Sequence, residues 1–349
     1  MDRASLLELI GRREIIDRVE APGVDLSGVA LDGLVFEKVA LRGARMAGAS
    51  LKETVWNDCD LSGVDLGGAA MRKAVFQKTC LDGANLRQAS MLSAKLIETS
   101  LVGASLANAD LTRAAMIQPR LEGASLAGAC MKLTSVIKPS CGAIDLSGAE
   151  LTRGVFVEMD LTQALLTGAT IDGVVFHKCT LAGKSLAGME LRRTQLMDCD
   201  LTGADLTAAR LVECNLRGAK LEGAKLDELA AHRALFAQAK LARASLRRAR
   251  LDQSIFLEAD LTDADASQAH LSQCVFTRAT CERTLFTSAD LTYADFSHAN
   301  AAGASFVGAS LLRARFHRTG TKDARWSDRK LALGDDAEQA QAEDWQAKH

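Results

Sequence analysis

A five-residue period runs from Val24 to Trp326 without an insertion or a deletion. Leu26, Leu31, Phe36, Leu41, Met46, Leu51, Trp56, Leu61 and Leu66 share one phase, and Leu291, Phe296, Phe306, Leu311 and Phe316 still keep it. Two residues earlier the slot is small, as at Ala44, Ala84, Ala204 and Ala289. A helix at 3.6 residues per turn slips out of phase with five, and so does a strand alternating every second residue. Self-similarity over about 61 units is instead the mark of a solenoid.

The aromatic residues set the size of one turn. Phe36, Trp56, Phe76, Phe156, Phe176, Phe236, Phe256, Phe276, Phe296 and Phe316 are separated by multiples of twenty, and Leu96, Met116, Val136, Leu196 and Leu216 fill the intervening places. One coil is therefore twenty residues on four faces, with the large central residue and the small one two before it pointing inward. Phe286, Phe306 and Trp326 start a second aromatic column on the opposite face. About 15 coils at roughly 4.8 Å each predict a rod about 70 Å long. Glycines such as Gly28, Gly63, Gly83, Gly148 and Gly203 fall where each corner needs a positive φ.

The units GANLR, NADLT, GADLT, EADLT, SADLT and YADFS resemble the A(D/N)Lxx motif of the pentapeptide-repeat family, and the unbroken phase carries the likeness over most of the chain. The resemblance implies an all-β fold, a right-handed parallel quadrilateral β-helix. It implies no single function, since members range from DNA-mimicking gyrase inhibitors to secretion-associated proteins.

Open solenoid ends need covers. Arg3 to Arg13 carries Leu6, Leu7, Leu9 and Ile10 among charges, which predicts an N-terminal helical cap within residues 1–22. The repeat domain is 23–326. Residues 327–349 lose the period and are expected to form a polar helix held by Trp345, or a loose tail. Pro119 and Pro139 both take the small inward slot, which predicts a kink within 117–144.

Lys plus Arg number 42 against 44 Asp plus Glu, a net charge of −2, so no overall field points to nucleic acid or an anionic membrane. No apolar run reaches the ~18 residues of a membrane span, and the first residues lack a signal-peptide layout. A soluble, cytoplasmic protein is expected. Cys59, Cys179, Cys199, Cys214 and Cys274 fall in the small inward slot, and Cys141 and Cys281 in the central one, which suits buried small hydrophobes. Cys179 and Cys199 are one coil apart, close enough for a disulfide that a cytoplasmic setting disfavours. His177, His232, His270, His298 and His317 lie at outward phases with no metal-pair spacing, so neither metal nor cofactor is expected. Asp60, Asp65, Asp200, Asp205, Asp260 and Asp265 face outward on a convex rod with no cleft to shelter acid–base chemistry, and no catalytic motif is present.

Two surface features stand out. The residue before the aromatic column reads Val35, Val55, Val75, Val155, Val175, Leu235, Ile255 and Val275. This outward apolar stripe is either a strand-favouring column or a contact face for a partner or a second copy. Arg233, Lys240, Arg243, Arg247, Arg248 and Arg250 occupy about one coil without an acid between them, a basic belt that is either solvated or an anion site. The sequence thus points to a non-enzymatic interaction scaffold or adaptor. The stretch LVFEKVALRGARMAGASLKETVWNDCDLSGVDL further resembles pentapeptide proteins associated with bacterial type VI secretion spikes. The alternative is a DNA-mimicking gyrase inhibitor or protector. Members of that kind have a strongly acidic surface and pair through their C-terminal coils, whereas here the charge is nearly balanced and Arg313, Arg315, Arg318, Lys322, Arg325 and Arg329, interrupted by Asp323 and Asp328, make the end basic.

Overall fold

An apolar residue every fifth place, stacked on its counterpart twenty residues later, needs a backbone ladder that joins each coil to the next. The computed structural model, which describes residues 1–12 and 15–345, has that ladder in each of two compact units, Met1–Cys179 and Thr180–His349. The amide of Leu26 donates to the Arg45 carbonyl at 2.7 Å, and the amide of Arg45 donates back to the Val24 carbonyl at 2.9 Å. Parallel pairs such as Asp25↔Arg45, Ala30↔Ser50 and Ala40↔Asp60 repeat this on successive faces. The fold is a parallel β-solenoid of stacked coils with a short N-terminal helix.

In the first unit, α1 (Arg3–Arg12) is followed by one strand per coil: β1 (Ile16–Asp17), β2 (Val35–Glu37), β3 (Val55–Asn57), β4 (Val75–Gln77), β5 (Lys95–Ile97), β6 (Ala115–Ile117), β7 (Ser135–Ile137), β8 (Val155–Val157) and β9 (Val175–His177). Each pairs with the next in register, Phe36 on Trp56 and Trp56 on Phe76. The helix lies against the first coil: Leu6 is buried, and Arg3 Nε donates to the Asp25 carbonyl at 2.7 Å. Arg13, the last residue of the expected helix, lies outside the described residues.

The second unit holds β10 (Gln195–Met197), β11 (Ser305–Phe306), β12 (Arg325–Trp326) and α2 (Ala337–Asp344). Most of its faces are single bridges closed by tight turns, as where Ala239 N–H donates to the Phe236 carbonyl at 3.0 Å. Phe236, Phe256, Phe276, Phe296 and Phe316 stack face to face at 4.6 to 5.0 Å. Phe286, Phe306 and Trp326 form the second column and meet the first edge-on. Burying each such side chain stabilises the stack by roughly 1.5–3 kcal/mol.

Four details differ from the sequence reading. First, the left-handed corner does not belong to glycine. Gly28 has φ +68°, but Lys38 (51°) and Glu98 (50°) take the same conformation, at a cost of roughly 1–2 kcal/mol each that the ladder offsets. Second, the ladder crosses 117–144 in register, with Arg120↔Ser140 and Asp145↔Leu165 paired. The local irregularity includes a tightened turn in which Ile144 N–H donates to the Gly142 carbonyl, with Cys141 half-exposed instead of central. Third, the last coil is two residues short. The amide of Phe316 donates to Leu333, where strict spacing requires residue 335, and Leu333 N–H returns to the Ala314 carbonyl. Fourth, Trp345 does not hold the tail: it is 75% exposed.

The small inward slot also has a polar task. On the strand face of the first unit its side chain adds a further donor to the carbonyl of the central residue one coil back. Thr79 Oγ1 donates to Trp56 O at 3.0 Å, Thr99 Oγ1 to Phe76 O at 2.9 Å, and the Cys179 thiol to Phe156 O at 3.3 Å. Cys214 and Cys274 do the same to Leu191 O and Leu251 O. Burial pushes the Cys59 thiol up to about 11 and that of Cys214 up to about 12, and raises Cys274 and Cys281 as well, so these thiols remain protonated donors at neutral pH. The buried cysteines and threonines are thus carbonyl caps as well as fillers. Thr79→Val keeps the shape and removes the side-chain bond to the Trp56 carbonyl. Urea unfolding should show a loss of about 0.5–1.5 kcal/mol, and Thr79→Ser should retain most of the stability.

Candidate functional site

Strand residues one and three point outward on the first unit, and residue two points in. In the first place Val35, Val55 and Val75 pair in sequence, as do Val155 and Val175. Each is half-buried by its neighbours one coil above and below, so the expected stripe is partly covered. In the second unit Leu235, Ile255 and Val275 pair likewise, and Ile255 reaches 39% exposure. Lys95, Ala115 and Ser135 interrupt the first column. There the apolar surface passes to the third place, where Ile97, Ile117, Ile137 and Val157 stack in register. Sequence reasoning missed this second column because it followed only the residue before the aromatic, although the isoleucines recur every twenty positions. At the N-terminal end Ile15, 66% exposed, and Val35 line a hollow with Ile10 of α1.

The six basic residues do encircle one coil, but neighbouring coils neutralise several of them. Arg247 bonds Asp265 at 2.5 Å, Arg248 bonds Glu228 at 2.8 Å, and Arg233 meets Gln253 at 2.9 Å. Arg243 sits near Asp263, whose carboxyl is held low first by Arg283, while Lys240 is joined to Lys220 and Asp260 through the backbone ladder alone. Arg248 and Arg250 converge with Arg210 and His270 on an open hollow that Glu228 also lines.

The outward aspartates have a structural task too. Asp60, Asp200, Asp205, Asp260 and Asp265 each accept the amide two residues on, at 2.9 to 3.0 Å, and Asp65 does so at 3.1 Å. The hydroxyl and amide of Thr207 hold Asp205 below the usual carboxylate range, which suits a permanently ionised turn cap, not a proton shuttle.

One cluster escaped the phase argument. His298 and His317, both expected at the surface, meet Glu343 of α2: His298 Nε2 lies 3.2 Å from Oε1, and His317 Nε2 lies 3.2 Å from Oε2. The tail covers His317 completely, at 0% exposure. Their atoms are close enough for a metal, but Asp336 N–H donates to His317 Nδ1 at 3.1 Å. The neutral ring then carries its proton on Nε2, which donates to Glu343 and has no lone pair for an ion. The cluster is a clamp for the tail, reinforced by Arg318 to Asp344 at 2.6 Å. Bonds from Gln339, His317 and His298 hold Glu343 down to about 2, so its share of the clamp is full above the ordinary 4.5 and fades as pH falls toward 2.

The period, the four-faced coil and the turn-capping aspartates define a repeat solenoid, and the family model of pentapeptide repeats matches residues 57–91, 89–128, 144–183, 194–228, 232–265, 254–292 and 289–319. The chain belongs to the pentapeptide-repeat family. Among solved structures it is similar to HetL, a pentapeptide repeat protein involved in heterocyst differentiation regulation in Nostoc sp. strain PCC 7120. That match has 23% identity, 90% of this chain and 96% of that one covered, and a TM-score of 0.23. It is also similar to QnrB1, a plasmid-mediated fluoroquinolone resistance protein, at 17% identity over 60% and 92% of the two chains, TM-score 0.31. A thylakoid-lumen pentapeptide repeat protein of Arabidopsis thaliana is 30% identical over 31% and 69%, TM-score 0.19. No curated protein matches the chain. No helix among the described residues is long and apolar enough to cross a membrane.

Proposed function

We propose that the chain is a non-enzymatic protein-interaction scaffold that presents the outward apolar columns of its first unit to a protein partner in the cytoplasm. The observation that carries this reading is the handover from Val35, Val55 and Val75 to Ile97, Ile117, Ile137 and Val157, which keeps apolar side chains at the surface of one face. Packing of the coil does not require them there, because the core is already filled by the second residue of each strand. Asp60, Asp65, Asp200, Asp205, Asp260 and Asp265 serve as turn caps, a structural task that does not call for acid–base work. The narrower assignment is an accessory of bacterial type VI secretion, supported by the resemblance of residues 34–66. The test is tagged capture from the native cells with crosslinking and mass spectrometry, beside Ile97→Lys/Ile137→Lys. Secretion components captured by the wild type and lost with the variant are the expected result. Capture of gyrase subunits would favour the DNA-mimic alternative, and equal capture by both proteins would overturn the role of the face.

A further inference from the structure

The corner residue that follows each strand forms an exposed column down one rim of the apolar face in the first unit: Asp58, Lys78, Glu98, Gln118, Lys138, Glu158 and Lys178. Strict alternation of sign would put like charges two coils apart everywhere. Gln118 breaks it, so that Glu98 and Lys138, on either side, are opposite. About Gln118 the column is antisymmetric at every step: Glu98 against Lys138, Lys78 against Glu158, Asp58 against Lys178. A ladder of ion pairs within the chain does not account for this. Lys138 and Glu158 approach to 3.6 Å, but among the described residues Asp58, Lys78, Glu98 and Lys178 form no ion pair with the chain itself.

We infer that this face is a two-fold interface with a second copy of the chain, packed antiparallel, with the axis passing through the coil of Ala115 to Gln118. A two-fold axis in the plane of the face and parallel to the strands lays each column on itself in reversed order. The three charge pairs then meet opposite charges, and the apolar columns match about the same coil except where Val157 meets Gln77. Ile117, at 39% exposure, meets its own copy; Ile97 meets Ile137; Val75 meets Val155. The opposite rim lacks the antisymmetry, since Lys73 would face Arg153, and that side opens to solvent. Seven coils at about 4.8 Å cover roughly 30 Å of face. The buried area is then at the low end of specific interfaces, on the order of 1,000 Å² in total, with a dissociation constant in the micromolar range.

The inference rests on reading the face as a contact surface, and its test uses the purified full chain alone. Sedimentation velocity over a concentration series should show a reversible dimer. Ile117→Lys, which places two ammonium groups at the axis, should give monomer with an unchanged circular dichroism spectrum. Glu98→Lys and Lys138→Glu should each weaken association by about tenfold or more, because each sets like charges together twice. The double swap Glu98→Lys/Lys138→Glu should restore wild-type association, a rescue that neither a folding defect nor a different dimer seam would give. A monomeric wild type, a dimer indifferent to Ile117→Lys, or a double swap that fails to rescue would overturn the two-fold. If the wild type is monomeric yet Ile97→Lys/Ile137→Lys still loses a captured partner, the dimer falls and the scaffold reading stands.

Discussion

Phe296→Ala is expected to cost about 3–5 kcal/mol in equilibrium unfolding, the largest effect of any single truncation in the second unit. Phe296 stacks on Phe276 at 4.6 Å and on Phe316 at 5.0 Å, and meets Phe286 and Phe306 edge-on at 5.5 and 5.7 Å. Among the described residues Phe306 also has four aromatic neighbours, but one of them, Trp326, is only half-buried. The cavity cannot close by local collapse, because the coil's outline is fixed by its ladder bonds on both sides. Phe296→Leu, which still fills the column, should lose less than half as much. Equal losses would mean that the edge-on contacts, and not the filled volume, dominate.

Ending the chain at Ser327 should cost about 4 kcal/mol and expose a sticky end. The deletion removes the ladder bonds from Arg313 to Leu331, from Phe316 to Leu333 and from Leu333 to Ala314, together with the Arg318 amide bond to Asp335. At roughly 1 kcal/mol net for each hydrogen bond, the backbone terms alone reach that size. The Glu343 clamp on His298 and His317 goes with them. Thermal unfolding and light scattering of the truncated chain would check both effects. Unchanged stability would show that the tail covers the end without holding it, whereas Glu343→Ala should reproduce only the clamp's part of the loss.

The ladder was legible in the sequence because inward volume is rationed: each coil offers the same slots, so Leu, Phe and Ala must recur in phase. The valine column was legible for a related reason, being one residue from an aromatic marker. Other features follow from local backbone geometry, which the period does not record. Thr79 and Cys214 look like fillers until their bonds to the Trp56 and Leu191 carbonyls are seen. Lys38 and Glu98 hide a glycine-like conformation. His317 has an outward phase and would be exposed if the last coil kept twenty residues. The two-residue shortening and the returning tail bury it, and neither leaves a periodic trace.

The ladder bonds also set the route by which such a chain can fold. Nearly every one joins residues about twenty apart, whether near Leu26 or near Phe296, so the loop to be closed at each step stays the same however long the chain grows. Adding a coil needs only the finished coil beneath it as template. The chain can therefore zip in the order in which it is synthesised, with α1 against the first coil as the starting surface. Until the shortened last coil and α2 arrive, the growing end remains an open template, and in that interval another chain could be recruited in place of the next coil.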